Sequence, residues 1–346
     1  MPAATAANPP SSILVYVGLD LMGDALMKMP FVRALRESYP RARITWLAGK
    51  GKTVFSGPLV PLVRGLIDEV IEDAGIGSRW TELLRRPLAG RHFDLVIDTQ
   101  RRVPTTLILR RLRCDMFVSG AADFAFSSVR PPRGYRKPAT MIRQILDLIE
   151  LASGARVEER IAPLYDRDSY AQAAALLPDG AVYVGLVPGA GGQHKCWPRE
   201  RFVEIGRRQA RAGRVPVVIL GPDESAWYEE LRAALPEARF PLQEDSARGA
   251  GPLLTIALAA RMAAAVSNDS GGGHLAAAGG VPLVSLWGPT VMEKAPPQTP
   301  ALITVLARDF GSTAMEAIPI DAVHAAVETL LTRIPVASTG GTALPA

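Results

Sequence analysis

The stretch AAVSNDSGGGHLAAAGGVPLVSLWGPT, residues 264–290, decides the fold. It predicts a buried strand, a polar turn, a helix that opens on glycines and a second buried strand. Three residues suited to helix capping, 268–270, precede three glycines, 271–273. Backbone N–H groups at a helix start lie at the positive end of the helix dipole, so such a start can bind phosphate. The alternative is an ordinary capped helix in an α/β sheet.

Bulk properties limit the class of protein. The 346 residues are enough for two domains with separate cores. No run of 18 or more residues is continuously apolar, so no transmembrane helix is expected. Two cysteines are too few for a disulfide framework, which favours the cytoplasm. The four histidines lack metal-ligand spacing, so no metal site is expected. The ends, 1–12 and 334–346, are expected to be disordered tails.

Charge is distributed unevenly along the chain. Residues 1–160 carry 24 Lys/Arg against 16 Asp/Glu, whereas the remaining residues carry 15 against 18. A basic first half indicates an anionic partner, which would be a lipid surface, a phosphorylated acceptor or a nucleic acid. The alternative is a solvated surface with no partner. Few aromatic residues accompany the arginines, which argues against single-stranded nucleic acid.

Short apolar runs alternate with helical patterns throughout. Strands are predicted at 13–17, 43–47, 69–71, 93–97, 116–118, 182–187, 216–220, 264–267, 283–286 and 303–306. Helices are predicted at 25–38, 80–86, 104–112, 140–151, 199–211, 224–234, 253–262, 272–278 and 321–331. This order predicts two α/β domains with parallel sheets, 13–160 and 161–320. A linker is expected at 152–168, and a last helix, 321–333, could pack on the first domain.

The loop after the first predicted strand, Gly18–Pro30, carries two carboxylates. Gly23 permits a tight turn, and Asp24 has the position of an N-cap before an amphipathic helix. Asp24 is a candidate general base, although capping alone would also account for it. Asp20, four residues earlier, is the rival carboxylate.

The loop after the strand at 182–187 combines glycines with one cation. Its members are Gly189, Gly191, Gly192 and Lys195. Phosphate binding uses this pairing of close backbone approach with a point charge. No Gly-x-Gly-x-x-Gly follows the first strand, so a nicotinamide enzyme is disfavoured.

Together these loops resemble glycosyltransferase family 9, the bacterial lipopolysaccharide heptosyltransferases. The resemblance rests on LMGDALMKMPFVRALRESYPRARITWLA, on LVPGAGGQHKCWPRERFVEI and, most specifically, on VSNDSGGGHLAAAGGVPLVSLWGPT. It implies the GT-B fold, in which two Rossmann-like domains with parallel sheets face each other across a cleft. The second domain is then expected to hold the sugar nucleotide.

The resemblance also implies site residues. Asp24 would be the base, and Lys195 would contact the donor diphosphate. The donor-binding set is Gly189, Gly191, Gly192, Lys195, Asp223, Glu224, Asp269, Ser270, Gly271, Gly272 and His274. Gly23, Arg101 and Arg102 are expected to bind the acceptor.

The expected reaction is inverting transfer of a heptose, or a related sugar, from an ADP-sugar to a lipopolysaccharide-core or other lipid-linked saccharide. Neither cofactor nor metal is expected. The expected partners are the nucleotide sugar, the anionic acceptor and the inner membrane surface, but no nucleic acid. The protein is expected to be a cytoplasmic monomer at the inner face of the membrane. The alternatives are a sugar-nucleotide epimerase or hydrolase on the same scaffold, and a non-catalytic nucleotide-sugar-binding protein.

Overall fold

A computed structural model describes residues 9–77, 80–84, 86–290 and 296–333. The described chain forms two compact units, one up to Arg160 and one from Ile161 onward. Each contains one five-stranded parallel sheet. The α/β fold class predicted from the alternation of strands and helices is therefore confirmed.

The first sheet has the strand order β3-β2-β1-β4-β5. Its strands are β1 (Ser12–Val17), β2 (Arg43–Ala48), β3 (Glu69–Ile71), β4 (His92–Asp98) and β5 (Arg113–Ser119). All neighbours pair in parallel, so the loops after β2, β1 and β4 leave the same edge. From Ile13 onward every residue of the central strand β1 is buried, as expected for a sheet covered on both faces.

The helices of the first unit depart from the prediction at one instructive place. They are α1 (Met22–Met27), α2 (Met29–Ser38), α3 (Val60–Val63), α4 (Val103–Leu109) and α5 (Met141–Ser153). The single helix predicted at 25–38 is broken at Lys28, because Pro30 lacks the N–H that would continue the α1 hydrogen-bond ladder. The helix predicted at 80–86 is a 3₁₀ turn, Trp80–Leu84.

The second sheet has the order β10-β9-β8-β6-β7. Its strands are β6 (Tyr183–Val187), β7 (Val215–Val218), β8 (Met262–Asn268), β9 (Leu283–Trp287) and β10 (Leu302–Leu306). The helices are α6 (Arg167–Leu176), α7 (Arg199–Arg211), α8 (Tyr228–Ala234), α9 (Pro252–Ala259), α10 (Gly271–Ala278) and α11 (Ile320–Arg333). A 3₁₀ turn, Pro222–Trp227, replaces the start of the helix predicted at 224–234.

The predicted linker at 152–168 is wrong at its far end. Asp166 is the N-cap of α6, and its carboxylate accepts the Ser169 N–H at 3.0 Å. The segment Asp166–Asp168 is therefore the start of a helix. Sequence reasoning missed α6 because its small alanines give little apolar periodicity.

The last helix, α11, packs on the second sheet. Its residues Val323, Val327 and Leu330 are buried in the same core as strands β6 and β8–β10. The sequence analysis also considered packing of this helix on the first domain, but its buried apolar residues belong to the core of the second unit. Within the described ranges no helix has the length and apolarity needed to cross a membrane.

Candidate active site

A buried amide joins the loops after β6 and β8. Asn268, the last residue of β8, is fully buried. Its Oδ1 accepts the backbone N–H of Trp197 at 3.0 Å, and its Nδ2 donates to the carbonyl oxygen of Pro188 at 2.7 Å. Because β6 and β8 are neighbours, one side chain fixes both ends of the glycine-rich loop against the turn that precedes α10. The sequence indicated only a capping role for Asn268.

Lys195 and Asp269 meet beside that turn. The Lys195 Nζ lies 3.6 Å from Asp269 Oδ2, which also accepts the Thr290 hydroxyl at 2.6 Å. The Lys195 side chain is 30% exposed and that of Asp269 is 16% exposed. A partly exposed pair at this distance leaves ammonium hydrogens free for a ligand. Two residues that the sequence placed in the donor set are thus brought together.

The start of α10 presents two backbone donors. Ser270 is the N-cap, and its hydroxyl accepts the Gly273 N–H at 3.2 Å. The first N–H groups of a helix have no partner inside the helix, so those of Gly271 and Gly272 are available. Asp269 and Ser270 lead directly into this start, and His274 is half-buried on its first turn.

The three glycines of α10 serve different purposes. A β-carbon on Gly273 would lie 2.6 Å from the Ser267 hydroxyl oxygen, and one on Gly272 would lie 2.8 Å from Val187 Cγ1. These two glycines therefore let the helix pack closely on the strand ends. Gly271 is the exposed one.

Glu224, in the segment that follows β7, lies next to the glycine-rich loop. Its carboxylate accepts the Gly221 N–H at 3.1 Å, and a β-carbon on Gly189 would lie 2.3 Å from its Oε1. Burial, and then the charge of Asp223, raises the pKa of Glu224 above its usual value. Asp223 is exposed. A β-carbon on Gly191 would project into open space, whereas one on Gly192 would lie 2.9 Å from the His194 ring.

In the first unit, the structure separates the two carboxylates after β1. Asp20 is buried, with Oδ1 2.5 Å from Lys28 Nζ and Oδ2 accepting the Trp46 indole N–H at 2.7 Å. Asp24 is half-buried, and its carboxylate has no hydrogen bond or ion pair within the described residues. Asp24 is the third residue of α1 and not its N-cap, which is Leu21. Asp20 is therefore structural, and Asp24 is available.

The predicted acceptor residues lie in the loops after β1 and β4. Gly23 is half-buried in α1, Arg101 is partly exposed and Arg102 is exposed. The loop after β4 is fixed by Asp98, whose carboxylate accepts the hydroxyls of Thr106 at 2.6 Å and Ser119 at 2.8 Å. Burial raises the pKa of Asp98 to about 6. This buried anchor was not found from the sequence.

In the part of the chain that the structure describes, one group of side chains could hold a metal ion, although the sequence indicated none. The group consists of His92, Asp94 and Asp115, whose ligand atoms lie within 4.8 Å of one another. It is at the amino-terminal ends of β4 and β5, the edge opposite to Asp24. A His-x-Asp pair on a strand was the available signal, because residues two apart share a face. The Asp94 carboxylate also accepts two N–H groups and a hydroxyl from Ser11 and Ser12.

Comparison with known proteins shows the family of this chain. Residues 82–317 match the model of glycosyltransferase family 9 (heptosyltransferase). The chain belongs to this family. Lipopolysaccharide heptosyltransferase 2 of Salmonella typhimurium is 25% identical over 317 residues, which are 82% of this chain and 85% of that protein. Lipooligosaccharide heptosyltransferase 2 of Haemophilus influenzae is 33% identical over 115 residues, a third of each chain.

Solved structures of glycosyltransferase family 9 agree in fold. A family 9 glycosyl transferase from Veillonella parvula has a TM-score of 0.68 at 20% identity, covering 94% of this chain and 98% of that one. The E. coli heptosyltransferase WaaC with ADP-2-deoxy-2-fluoro heptose has a TM-score of 0.64 at 19% identity, with 92% and 99% covered. The GT-B fold class with two Rossmann-like parallel sheets, expected from the sequence, is confirmed.

Proposed function

We propose that this family 9 glycosyltransferase transfers a heptose, or a related sugar, from an ADP-sugar to a lipopolysaccharide-core or other lipid-linked saccharide, with inversion at the anomeric carbon. Binding of the ADP-sugar donor is supported mainly by the Lys195–Asp269 pair beside the start of α10. The solved WaaC complex with an ADP-sugar analogue supports the choice of nucleotide.

The donor diphosphate would bind at the start of α10. The N–H groups of Gly271 and Gly272 would donate to its oxygens, and the Lys195 ammonium would pair with its charge. Asp269 would orient Lys195 and, through Thr290, the end of β9. Glu224 lies against the glycine-rich loop, where its carboxylate could accept hydroxyls of the nucleoside. Gly189, Gly191 and Gly192 would let the backbone approach the phosphates.

Asp24 would act as the general base. It would take the proton from the acceptor hydroxyl while that oxygen attacks the anomeric carbon and the nucleoside diphosphate leaves. A carboxylate with no partner in the described part of the chain suits this task, whereas Asp20 already accepts from Lys28 and Trp46. Lys195 and the α10 dipole would stabilise the charge on the leaving diphosphate, so the reaction would need no metal.

The acceptor would be an anionic, lipid-linked saccharide held by the first unit. Arg101 and Arg102 follow β4, the strand beside β1, and therefore leave the same sheet edge as Asp24. We further propose that the protein acts as a cytoplasmic monomer at the inner face of the membrane, where its basic first unit would meet anionic headgroups.

The Asp24→Asn variant tests the mechanism. Transfer should fall by at least about a hundredfold, because the amide cannot accept the proton. Binding of the ADP-sugar, measured by calorimetry, should be unchanged. Asp168→Asn is the matched control, since Asp168 is an exposed acid in the first turn of α6. Full transfer activity in Asp24→Asn would remove Asp24 from the mechanism.

Product analysis separates the alternatives. A transferase should leave most of the ADP-sugar intact until the acceptor is added. An epimerase or hydrolase would convert the donor without an acceptor, and a binding protein would convert it in neither case. A thermal-shift series should rank ADP-heptose above UDP- and GDP-sugars.

A further inference from the structure

The Arg101 guanidinium is held against the end of β5 by three surfaces. A β-carbon on Gly120 would lie 3.1 Å from its Nη1, so the group lies directly over that glycine. The Phe124 ring centroid is 5.9 Å from the guanidinium carbon, and the Gln144 Oε1 is 3.4 Å from Nη1. Phe124 is itself buried and packs edge-on against Tyr135 at 5.4 Å. The position of the cation is therefore set by the fold.

An unusual turn supplies two of the Arg101 contacts. Ala122, Asp123 and Phe124 have φ values of 46°, 49° and 65°, and none of them is glycine. Three consecutive L-residues in the left-handed region are sterically costly, and such strain collects at functional sites. The turn brings Asp123 Oδ1 to 3.6 Å from Arg101 Nη2, although the Asp123 side chain is 99% exposed.

Arg101 is held in place but poorly paired. Charge-assisted hydrogen bonds are usually about 2.7–2.9 Å long, and the polar contacts of Arg101 are longer. Arg143 in the same unit is the well-paired case. It donates at 2.8 Å to Asp147, to Glu150 and to the Val157 carbonyl oxygen. Among the described residues Arg101 has only long polar contacts and a weak counter-ion, whereas Arg143 has three short hydrogen bonds, two of them to carboxylates.

Arg101 also has the right place in the sheet. It follows β4, which pairs with β1, and the loop after β1 carries Asp24. The preceding residue, Gln100, donates its backbone N–H to the Asp98 carboxylate, and its side chain lies 3.3 Å from where a β-carbon on Gly18, just after β1, would be. A group bound by Arg101 is therefore bound beside the strand that positions the base.

We propose that Arg101 binds an oxyanion of the acceptor, either a carboxylate or a phosphate, and that Asp123 is a resting counter-ion which this oxyanion displaces. The proposal rests on the transferase function proposed above. Asp123 keeps the guanidinium oriented in the free enzyme and gives way to a group that can form two parallel hydrogen bonds with it. Asp123 thereby selects against neutral acceptors, which cannot replace it.

Opposite effects of two substitutions test the proposal. Arg101→Ala should raise the KM for the acceptor by about tenfold or more, with the KM for the donor unchanged. Asp123→Asn should lower the acceptor KM by up to about fivefold, because an exposed competing charge is removed. Asparagine is tolerated in the left-handed region, so this variant should fold. The gain should vanish in the Arg101→Ala background. Arg111→Ala, an exposed arginine before β5, is the control.

Two acceptor forms identify the oxyanion. One arm uses a dephosphorylated acceptor and the other an acceptor with esterified carboxylates. The form whose KM no longer responds to Arg101→Ala lacks the recognised group. The proposal would be overturned if Arg101→Ala raised the KM for both modified acceptors as much as for the native acceptor. It would also be overturned if the Asp123→Asn variant bound the acceptor more weakly than the wild type.

Equilibrium titration of the acceptor keeps this test separate from the proposed function. If the wild type transfers no sugar, the proposed function fails, and the titration still compares the Arg101 and Asp123 variants. If the wild type transfers sugar but Arg101→Ala binds the acceptor normally, only the present inference fails.

Discussion

The carboxyl edges of the two sheets are built in different ways. At the second sheet, the Asn268 side chain joins two loops by hydrogen bonds to their backbone, and the candidate groups for the diphosphate include backbone N–H groups. At the first sheet the candidate groups are single side chains, Asp24 and Arg101, on loops fixed by the buried carboxylates Asp20 and Asp98. A diphosphate common to many donors suits a backbone site, whereas a particular acceptor requires side chains. We therefore expect function at the second edge to be sensitive to changes in backbone conformation. Function at the first edge should be sensitive to changes in side-chain charge.

The largest effect is expected from breaking the anchor of the first edge. Asp20→Asn would leave the Lys28 ammonium buried without its counter-ion, at a cost of about 3–5 kcal/mol in the free energy of unfolding. Asp24→Asn should change that free energy by less than about 1 kcal/mol, since among the described residues Asp24 has only its interaction with the α1 dipole to lose. Urea unfolding of both variants measures the contrast. Equal losses of stability would contradict the division into a structural and an available carboxylate.

A large loss of transfer activity is expected when Lys195 at the second edge is replaced. Lys195→Met should lower the transfer rate by about 100- to 1000-fold, because one preorganised donor to the leaving diphosphate is removed. The wild type should keep its activity in EDTA. Steady-state kinetics provide the measurement, with Arg248→Met, a substitution of an exposed arginine of the same unit, as the control. Loss of wild-type activity in EDTA, restored by a divalent ion, would show that a metal performs the task assigned to Lys195.

The smallest effect concerns the pH dependence of stability at the first edge. The pKa of Asp98 is about 6 in the folded protein, above its usual 3.8, so folding favours the protonated form. Its contribution is therefore fully present below about pH 4 and is lost as the pH rises through 6. Relative to Asp98→Asn, the wild type should lose up to about 3 kcal/mol of unfolding free energy over that range. Parallel curves for the two proteins would contradict this assignment.

Much of the fold could be predicted from the sequence. Each of the ten predicted strand segments overlaps a strand, because strands buried on both faces are short apolar runs between polar turns. The errors fall where one residue overrides periodicity, as Pro30 does when it separates α1 from α2. The α6 helix was missed because alanines carry little pattern.

The candidate site could be predicted only in part. The donor loops are continuous motifs, so Lys195, Asp269 and Ser270 could be chosen by position along the chain. The packing role of Gly272 and Gly273 could not be predicted, because it depends on their closeness to Val187 and Ser267 in the folded chain. The choice between Asp20 and Asp24 also required the structure, because Trp46, one partner of Asp20, lies 26 residues away.

Lys28 marks the break between α1 and α2 and is also the partner of Asp20. Residues 20–28 are thus closed into a ring by one ion pair, and Asp24 is at its middle. A ring of this size leaves the carboxylate little positional freedom before the acceptor arrives. For the general-base role proposed for Asp24, the entropy of placing the carboxylate would be lost during folding and not in each catalytic cycle, so loosening the ring should slow transfer even where Asp24 itself is intact.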